Sequence, residues 1–531
     1  MLTSASRSRL QSPLLWLLAS ACMALLAVQI AQQLGARSLA DGAWVFMRYA
    51  EQFLERGVLA FAPGGRGVYG LTSPGFVTVV APMRLLFGGD AARALSASSV
   101  VSGLLFVGLL GWMLGSLTSG APRRRAATFA LVTFALAGSA PALACHFASG
   151  VETTYALAYL TMWLMFARWQ ARRVTAEAAL TLGAFGGMAF SVRPDLLLFT
   201  AGVPLAAALL SREPAPRRAW AVALGATLLA ASMQSALYAW WMHSALPLPL
   251  WDRTGLHAGG PGAALRELAA FARGAWPLLV VIGVGIATGP ARWWTGAGAF
   301  ERALLGAAAV FTLFHAAALV PGLTPAQRAY PPLLPVLAYV AARRLAPLAL
   351  HLPQPAFRSL AVTLPVIVVA ALALGSTAVR QWAAVGRQGP DEERFDAGAA
   401  YRADWSAHWV ALDRVSNLAD DLTIATTDVG MPLALSSRRR IVDLTGLHEH
   451  FLAHGHRTAD NLLRRERPDL VYLPPARLAA MNAALHADPW FVANYDTWPA
   501  ESLRAGTGVA VRRDGPHTET LRALFASRAA R

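Results

Sequence analysis

The chain of 531 residues contains no lysine, so all 46 of its basic side chains are arginine. The missing residue is read as codon usage in a GC-rich bacterium rather than as chemistry. Charge of either sign is scarce at 14%, against 56% hydrophobic residues and a mean hydropathy of +0.44. That balance excludes an ordinary soluble multidomain protein and reads as a multi-span membrane protein. Only two cysteines occur, Cys22 and Cys145, both in or at the end of apolar runs, so neither a disulfide framework nor a cysteine metal site is supported. The net charge of +16 does not indicate nucleic acid, because the arginines fall in short clusters between apolar runs. Tandem repeats and low-complexity segments are also lacking.

Apolar runs are abundant instead. They lie near 13–30, 93–117, 126–144, 150–167, 177–191, 196–210, 219–242, 275–289, 301–320, 330–348 and 358–379, which makes eleven. The first follows a basic start and reaches about 27 Å as a helix, enough for an uncleaved anchor. A shorter piece, "FVTVVAPMRLLF" at 76–87, is broken by Pro82 and Arg84 and reads as an interfacial helix. The arginine clusters support this count. Starting from Arg7 and Arg9, every second connection is basic: Arg123 to Arg125, Arg168 with Arg172 and Arg173, Arg212 with Arg217 and Arg218, Arg292 with Arg302, and Arg343 and Arg344 with Arg358. Arginine-rich short loops face the cytoplasm. The expected fold class is therefore a multi-pass α-helical membrane protein of about 11 spans, N-terminus cytoplasmic. Residues 1–380 form the membrane domain, including a first outer loop at 32–92. Residues 381–531, with ordinary charge density and the strand-like pieces "LTIATTD", "RRIVDL", "DLVYLP" and "GVAVRR", form an extracytoplasmic α/β domain.

This topology puts the remaining polar landmarks at outward ends of spans: Asp41, Arg48, Glu152, Arg193, Asp195, Asp252, Arg253, Arg328 and Tyr330. A charge at mid-bilayer costs roughly 2.5–3.5 kcal/mol on insertion scales, so such residues face water, a partner or a cavity. Each has a structural reading. Asp41 and Glu152 suit helix N-termini, Asp195 suits the cap of the helix after Pro194, and Arg328 suits a headgroup contact. Collected on one face, they are better explained by a shared site. The segment 39–57, with Trp44, Phe46 and Tyr49 beside Arg48, reads as a helix lying along the bilayer surface. The histidine-rich "LHEHFLAHGH", with His448, Glu449, His450, His454 and His456, lacks the HExxH spacing and reads as a solvated loop rather than a zinc site.

A site at the lipid–water boundary suits a reaction between a lipid-borne substrate and the outer compartment. For glycosyl transfer from a lipid phosphate, a carboxylate takes the proton of the attacking hydroxyl and arginines stabilise the departing phosphate. Asp41 and the outward arginines supply those parts. The ordered stretches "FMRYAEQFLERGVLAFAPGGRGVYGLTSPGF", "SGVETTYALAYL", "VRPDLLLF", "LPLPLW", "QRAYPPLLPVLAYVAARR" and "TTDVGMPLALSSRRRIVDLTGL" resemble bacterial GT-C membrane glycosyltransferases. The resemblance spans most of the chain and is nearest to the mycobacterial terminal arabinofuranosyltransferase branch. It implies a polyprenyl-phosphate sugar donor, a glycan or lipid acceptor of the cell envelope, an outer domain over the site, and no partnership with nucleic acid. Asp41 matches the first member of the family's acidic pair and is the implied general base. Gly42 replaces the second member, which leaves a divalent cation open and implies no other cofactor. Leu250 and Arg253 stand where relatives carry Asn and a later Lys. Asp428, Gly430 and Asp443 match a strand-turn-strand of the outer domain. The competing classes are a lipid-linked-sugar transporter, against which no matching broken-helix halves are visible, and a non-catalytic glycan-binding protein.

Overall fold

A computed structural model describes most of residues 39–117, 149–251, 261–317, 329–350, 422–453, 458–499 and 508–529, with a few positions between 131 and 147. The apolar runs at 13–30 and 358–379, and most of 126–144, lie outside the described residues. The helices are α1 (Ala43–Arg56), α2 (Val77–Leu86), α3 (Ala91–Gly115), α4 (Thr153–Arg173), α5 (Ala176–Gly187), α6 (Gly202–Leu210), α7 (Pro214–Met242), α8 (Pro261–Gly274), α9 (Trp276–Ala287), α10 (Ala299–Ala317) and α11 (Leu333–Leu350). Among the described residues three helices are long and apolar enough to cross a membrane: Ala91–Gly115, Pro214–Met242 and Ala299–Ala316. A fourth arises if Leu268–Gly274 and Trp276–Ala287, which meet at 87°, form one broken span. The bend falls between Gly274 and Pro277, where the apolar run at 275–289 begins.

The chain divides into two compact units. The first comprises Ser96–Gln234 and Gly259–Glu392 with the N-terminal segment; the second comprises Leu39–Leu95, Ser235–Ala258 and Glu393–Arg531. The core of the first unit is helical and dominated by Leu, Ala and large aromatics, including Trp163, Phe199 and Phe311. Helices α5 and α7 approach closely because glycine faces small residues: a Cβ on Gly183 would lie 2.4 Å from the Ala223 carbonyl oxygen, and one on Gly187 2.4 Å from the Ala230 Cβ. Small residues at four-residue spacing are how helices pack without a hydrophobic driving force. The outer flank of α7 exposes Leu228, Leu229, Met233 and Trp240, surface of the kind that lipid covers.

In the second unit α1 is not the surface-lying helix that its mixture of aromatics and charge suggests. Ala43 through Ala50 are all buried, so Trp44, Phe46 and Tyr49 pack into protein rather than lipid. The helix stops at Gly57, whose φ of 68° lets its N–H reach the Phe53 carbonyl at 2.8 Å. Helix α2 matches the short 76–87 piece and contains Pro82; Arg84 reaches Glu51 of α1 at 3.0 Å, and Phe46 meets Phe76 edge-on at 5.2 Å.

The C-terminal part holds a five-stranded mixed sheet of order β2-β1-β3-β5-β4: β1 (Thr423–Thr426), β2 (Arg440–Asp443), β3 (Leu470–Tyr472), β4 (Tyr495–Pro499) and β5 (Gly508–Arg512). β1 is parallel to β2 and β3, with Ile424 opposite Ile441 and Leu470, whereas β5 is antiparallel to β3 and β4. Four strands coincide with the strand-like pieces of the sequence. The fifth, "YDTWP", is an edge strand, the one place where its proline costs no ladder bond. Helix α12 (Ala459–Glu466) lays Leu462 and Leu463 on the sheet beside Phe491 and Tyr495.

Candidate functional site

Four of the predicted residues, Glu152, Arg193, Asp195 and Tyr330, gather in the first unit. Pro194 disfavours helix for the residue before it, and Arg193 is extended, with φ −166° and ψ 119°. The apolar stretch 176–210 is therefore interrupted, as two shorter helical pieces, Ala176–Val192 and Pro194–Leu210. The break turns Arg193 back onto the residue two further on. Its Nε donates to Asp195 Oδ1 at 3.1 Å and its Nη2 to Oδ2, a bidentate pair. Glu152 is close enough to add to the field on Arg193. It occupies the N-cap position of α4 but its side chain caps no N–H, and it is buried. Asp195 likewise directs its carboxylate to side chains rather than to the helix that follows.

The partner that sequence reasoning missed is His315, in the last turn of α10. Its Nε2 lies 3.1 Å from Asp195 Oδ2. An ionised carboxylate only accepts, so Nε2 carries the proton. The imidazole is 2% exposed and packed by Phe311 at 4.3 Å, Phe314 at 5.4 Å and Tyr330 at 6.0 Å between ring centroids. Tyr330 thus lies beside the cluster. The available signal was a lone ionisable residue inside an apolar run, "FTLFHAAAL", which is a functional-site pointer by default.

Other expected residues fall elsewhere. Asp41, Asp252, Arg253, Arg328, Asp428, His454 and His456 lie outside the described residues. Arg48 belongs to the second unit, where it is buried and its Nε donates to the Phe61 carbonyl at 2.6 Å. Burial lowers its pKa to about 10, which still leaves it a cation at neutral pH. His448 is not solvated. It is buried, stacked on Phe61 at 4.4 Å, and its Nδ1 is 3.1 Å from the Tyr49 hydroxyl. Asp443 closes the same corner, accepting from the Thr445 N–H at 2.8 Å, the Thr445 hydroxyl at 2.5 Å and the His448 N–H at 2.8 Å. Gly430 is buried. Among the described residues no group of three His, Cys, Asp or Glu side chains is placed to hold a metal ion.

Burial shifts the two titratable members of this corner in opposite senses. It holds His448 down from 6.5 to about 3, helped by the Arg48 charge, and pushes Asp443 up from 3.8 to about 6 against the hydrogen bonds from Thr445 and His448. The unfolded histidine binds a proton that the folded one refuses, so its contribution to stability is lost as pH falls from 6.5 towards 3. The folded Asp443 binds a proton before the unfolded one, so stability is gained as pH falls from 6 towards 3.8. The two slopes oppose each other between those limits. Relative to the wild-type protein, His448→Phe, which keeps a ring against Phe61, is expected to gain stability as pH falls from about 6 to 4. Urea midpoints across that range check this, and parallel profiles for the two proteins would rule out the opposition.

No protein-family model and no curated protein matches the sequence. Solved structures do match. ArnT from Cupriavidus metallidurans bound to undecaprenyl phosphate superposes at a TM-score of 0.53 and 14% identity, covering 94% of this chain and 99% of that one. The apo state of the same protein gives 0.55 and 14%, over 92% and 97%. The chain shares the fold of ArnT. The shared fold extends over nearly the full length of both proteins. An oligosaccharyltransferase from Archaeoglobus fulgidus in its apo form matches at 0.48 and 13%, covering 94% of this chain and 75% of that one, a likeness too slight to build on.

Proposed function

We propose that this chain is an inverting GT-C glycosyltransferase that moves a pentose or hexose, arabinofuranose being the first candidate, from a polyprenyl-phosphate donor to a cell-envelope glycan or lipid. The reaction runs at the outer face of the bacterial plasma membrane. The proposal keeps eleven spans, a cytoplasmic N-terminus, a membrane domain over 1–380 and an extracytoplasmic domain over 381–531. The observation that carries it is the fold shared with ArnT along nearly the whole of both chains, one of those structures holding undecaprenyl phosphate. The branch nearest the mycobacterial terminal arabinofuranosyltransferase rests on the sequence resemblance alone.

In this reading Asp41 takes the proton of the acceptor hydroxyl as its oxygen attacks the anomeric carbon. The bond from that carbon to the phosphate oxygen breaks, its electron pair stays on the phosphate, and polyprenyl phosphate leaves. Arg253 and Arg328 bind the phosphate, a task for charge-assisted forks that never lose their proton. The fork of Arg193 is committed to Asp195, so with Glu152 and Tyr330 it serves the donor by shaping the pocket rather than by meeting the phosphate. Arg48, buried and held on the Phe61 carbonyl, serves the core of the second unit rather than the substrate.

The test is transfer by purified protein in lipid nanodiscs, offered a panel of undecaprenyl-phosphate-linked pentoses and hexoses with envelope glycan from a deletion strain. Labelled sugar on the acceptor together with released undecaprenyl phosphate is the expected result. Movement of donor across vesicles without transfer makes the protein a transporter and overturns the proposal.

A further inference from the structure

The Asp195 carboxylate differs from its neighbours in one respect. The Arg193 side chain is 4% exposed and that of His315 2%, but the Asp195 side chain is 15% exposed, the most accessible of the three. Oδ2 receives two hydrogen bonds, from Arg193 and His315, while Oδ1 receives one, from Arg193 Nε. A carboxylate has about four acceptor positions. The arrangement therefore fixes one oxygen firmly and leaves the other able to accept from a small donor. Two buried donor side chains keep the group ionised and fixed in orientation, which excludes proton donation from it and favours a hydroxyl that is itself a donor.

We infer that Asp195 is a sugar-hydroxyl acceptor that selects the donor's sugar, and that His315 is the positioning residue that holds its carboxylate plane. The inference rests on the proposed glycosyl transfer and names which part of the donor this cluster reads. Arg193 alone grips both oxygens through one flexible side chain. His315, fixed at the end of a long helix between Phe311 and Tyr330, supplies the second direction that stops the carboxylate from rotating about its own axis. Polar groups aimed at a substrate hydroxyl give large discrimination because a substrate lacking it leaves them unpaired.

The experiment separates sugar from phosphate. For the donor in the panel that the wild type turns over, KM and kcat are measured for the wild type, His315→Ala and His315→Gln, together with the inhibition constant of undecaprenyl phosphate, which carries no sugar. His315→Ala is expected to raise KM for the sugar donor about tenfold while the inhibition constant stays within about twofold, the size of one lost hydrogen bond to a charged group. His315→Gln, which can return an N–H to the same oxygen, restores most of the difference. Equal weakening of both ligands, or no change in either, overturns the inference, and unaltered elution and thermal unfolding of His315→Gln guard against a folding defect. A wild type that neither transfers sugar nor is bound by undecaprenyl phosphate removes the proposed function, and this inference falls with it.

Discussion

Gly70→Ala is expected to destabilise the second unit severely. A Cβ at this position would stand 2.1 Å from His448 Nδ1, 2.4 Å from the Tyr49 hydroxyl and 2.9 Å from the Leu447 carbonyl oxygen. Two of these neighbours are bonded to each other, and the third is backbone. None can retreat independently: moving His448 breaks its stack on Phe61, and moving Tyr49 disturbs a helix buried on every side over its first two turns. Overpacking of a core costs roughly 1–3 kcal/mol and more where backbone must shift. A fall in melting temperature of about 5 °C or more is expected, with faster proteolysis of the segment 57–75. Removing the histidine first tests the cause. In a His448→Ala background the closest clash is gone, so the added cost of Gly70→Ala should shrink by about 0.5–3 kcal/mol, the range for residues in direct contact. Strict additivity would show that the glycine is needed for some other reason.

Asp41→Asn is the variant with the largest expected effect on turnover. Asparagine matches the carboxylate in size and still accepts hydrogen bonds, but it cannot take up the proton of an attacking hydroxyl. Loss of a general base lowers rates by about 10²–10⁴-fold, so transfer should fall to background while expression, membrane insertion and undecaprenyl phosphate binding match the wild type. Single-turnover measurement with labelled donor distinguishes this from slow product release. Transfer at the wild-type rate would take Asp41 out of the chemistry. The contrast with His315→Ala is diagnostic, since a base acts on kcat and a sugar contact acts first on KM.

Much of the fold is legible because its signals are local. Spacing of apolar runs marks eight of the helical stretches from Ala91 to Leu350, and β-branched clusters mark four strands. The strand Tyr495–Pro499 escapes because aspartate and proline in "YDTWP" speak for a turn, and only its position at the sheet edge makes them tolerable. Helix α1 misleads for the opposite reason. Aromatics interleaved with Arg48 suit a membrane surface equally well, and what buries that arginine is a carbonyl thirteen residues away, at Phe61, which no periodicity announces. The candidate site divides in the same way. Glu152, Arg193, Asp195 and Tyr330 are visible as polar residues at the ends of apolar runs. His315 is marked only as a lone ionisable residue within a run, and its pairing with Asp195 is not legible because it spans 120 residues of chain and depends on how α10 packs beside the break at Pro194. Likewise the seeming loop histidine His448 is a buried structural residue only because Phe61 and Tyr49 come to meet it.

The bond between Tyr49 and His448 joins residues 399 positions apart. At about 5–20 residues per second of synthesis, the early partner waits roughly 20–80 s for the late one. During that interval Tyr49 and Phe61 lack the ring that finally covers them, and the ribosome is still producing chain. That corner of the second unit therefore closes only after most of the chain has been made, and truncation before position 448 removes the ring that fills it.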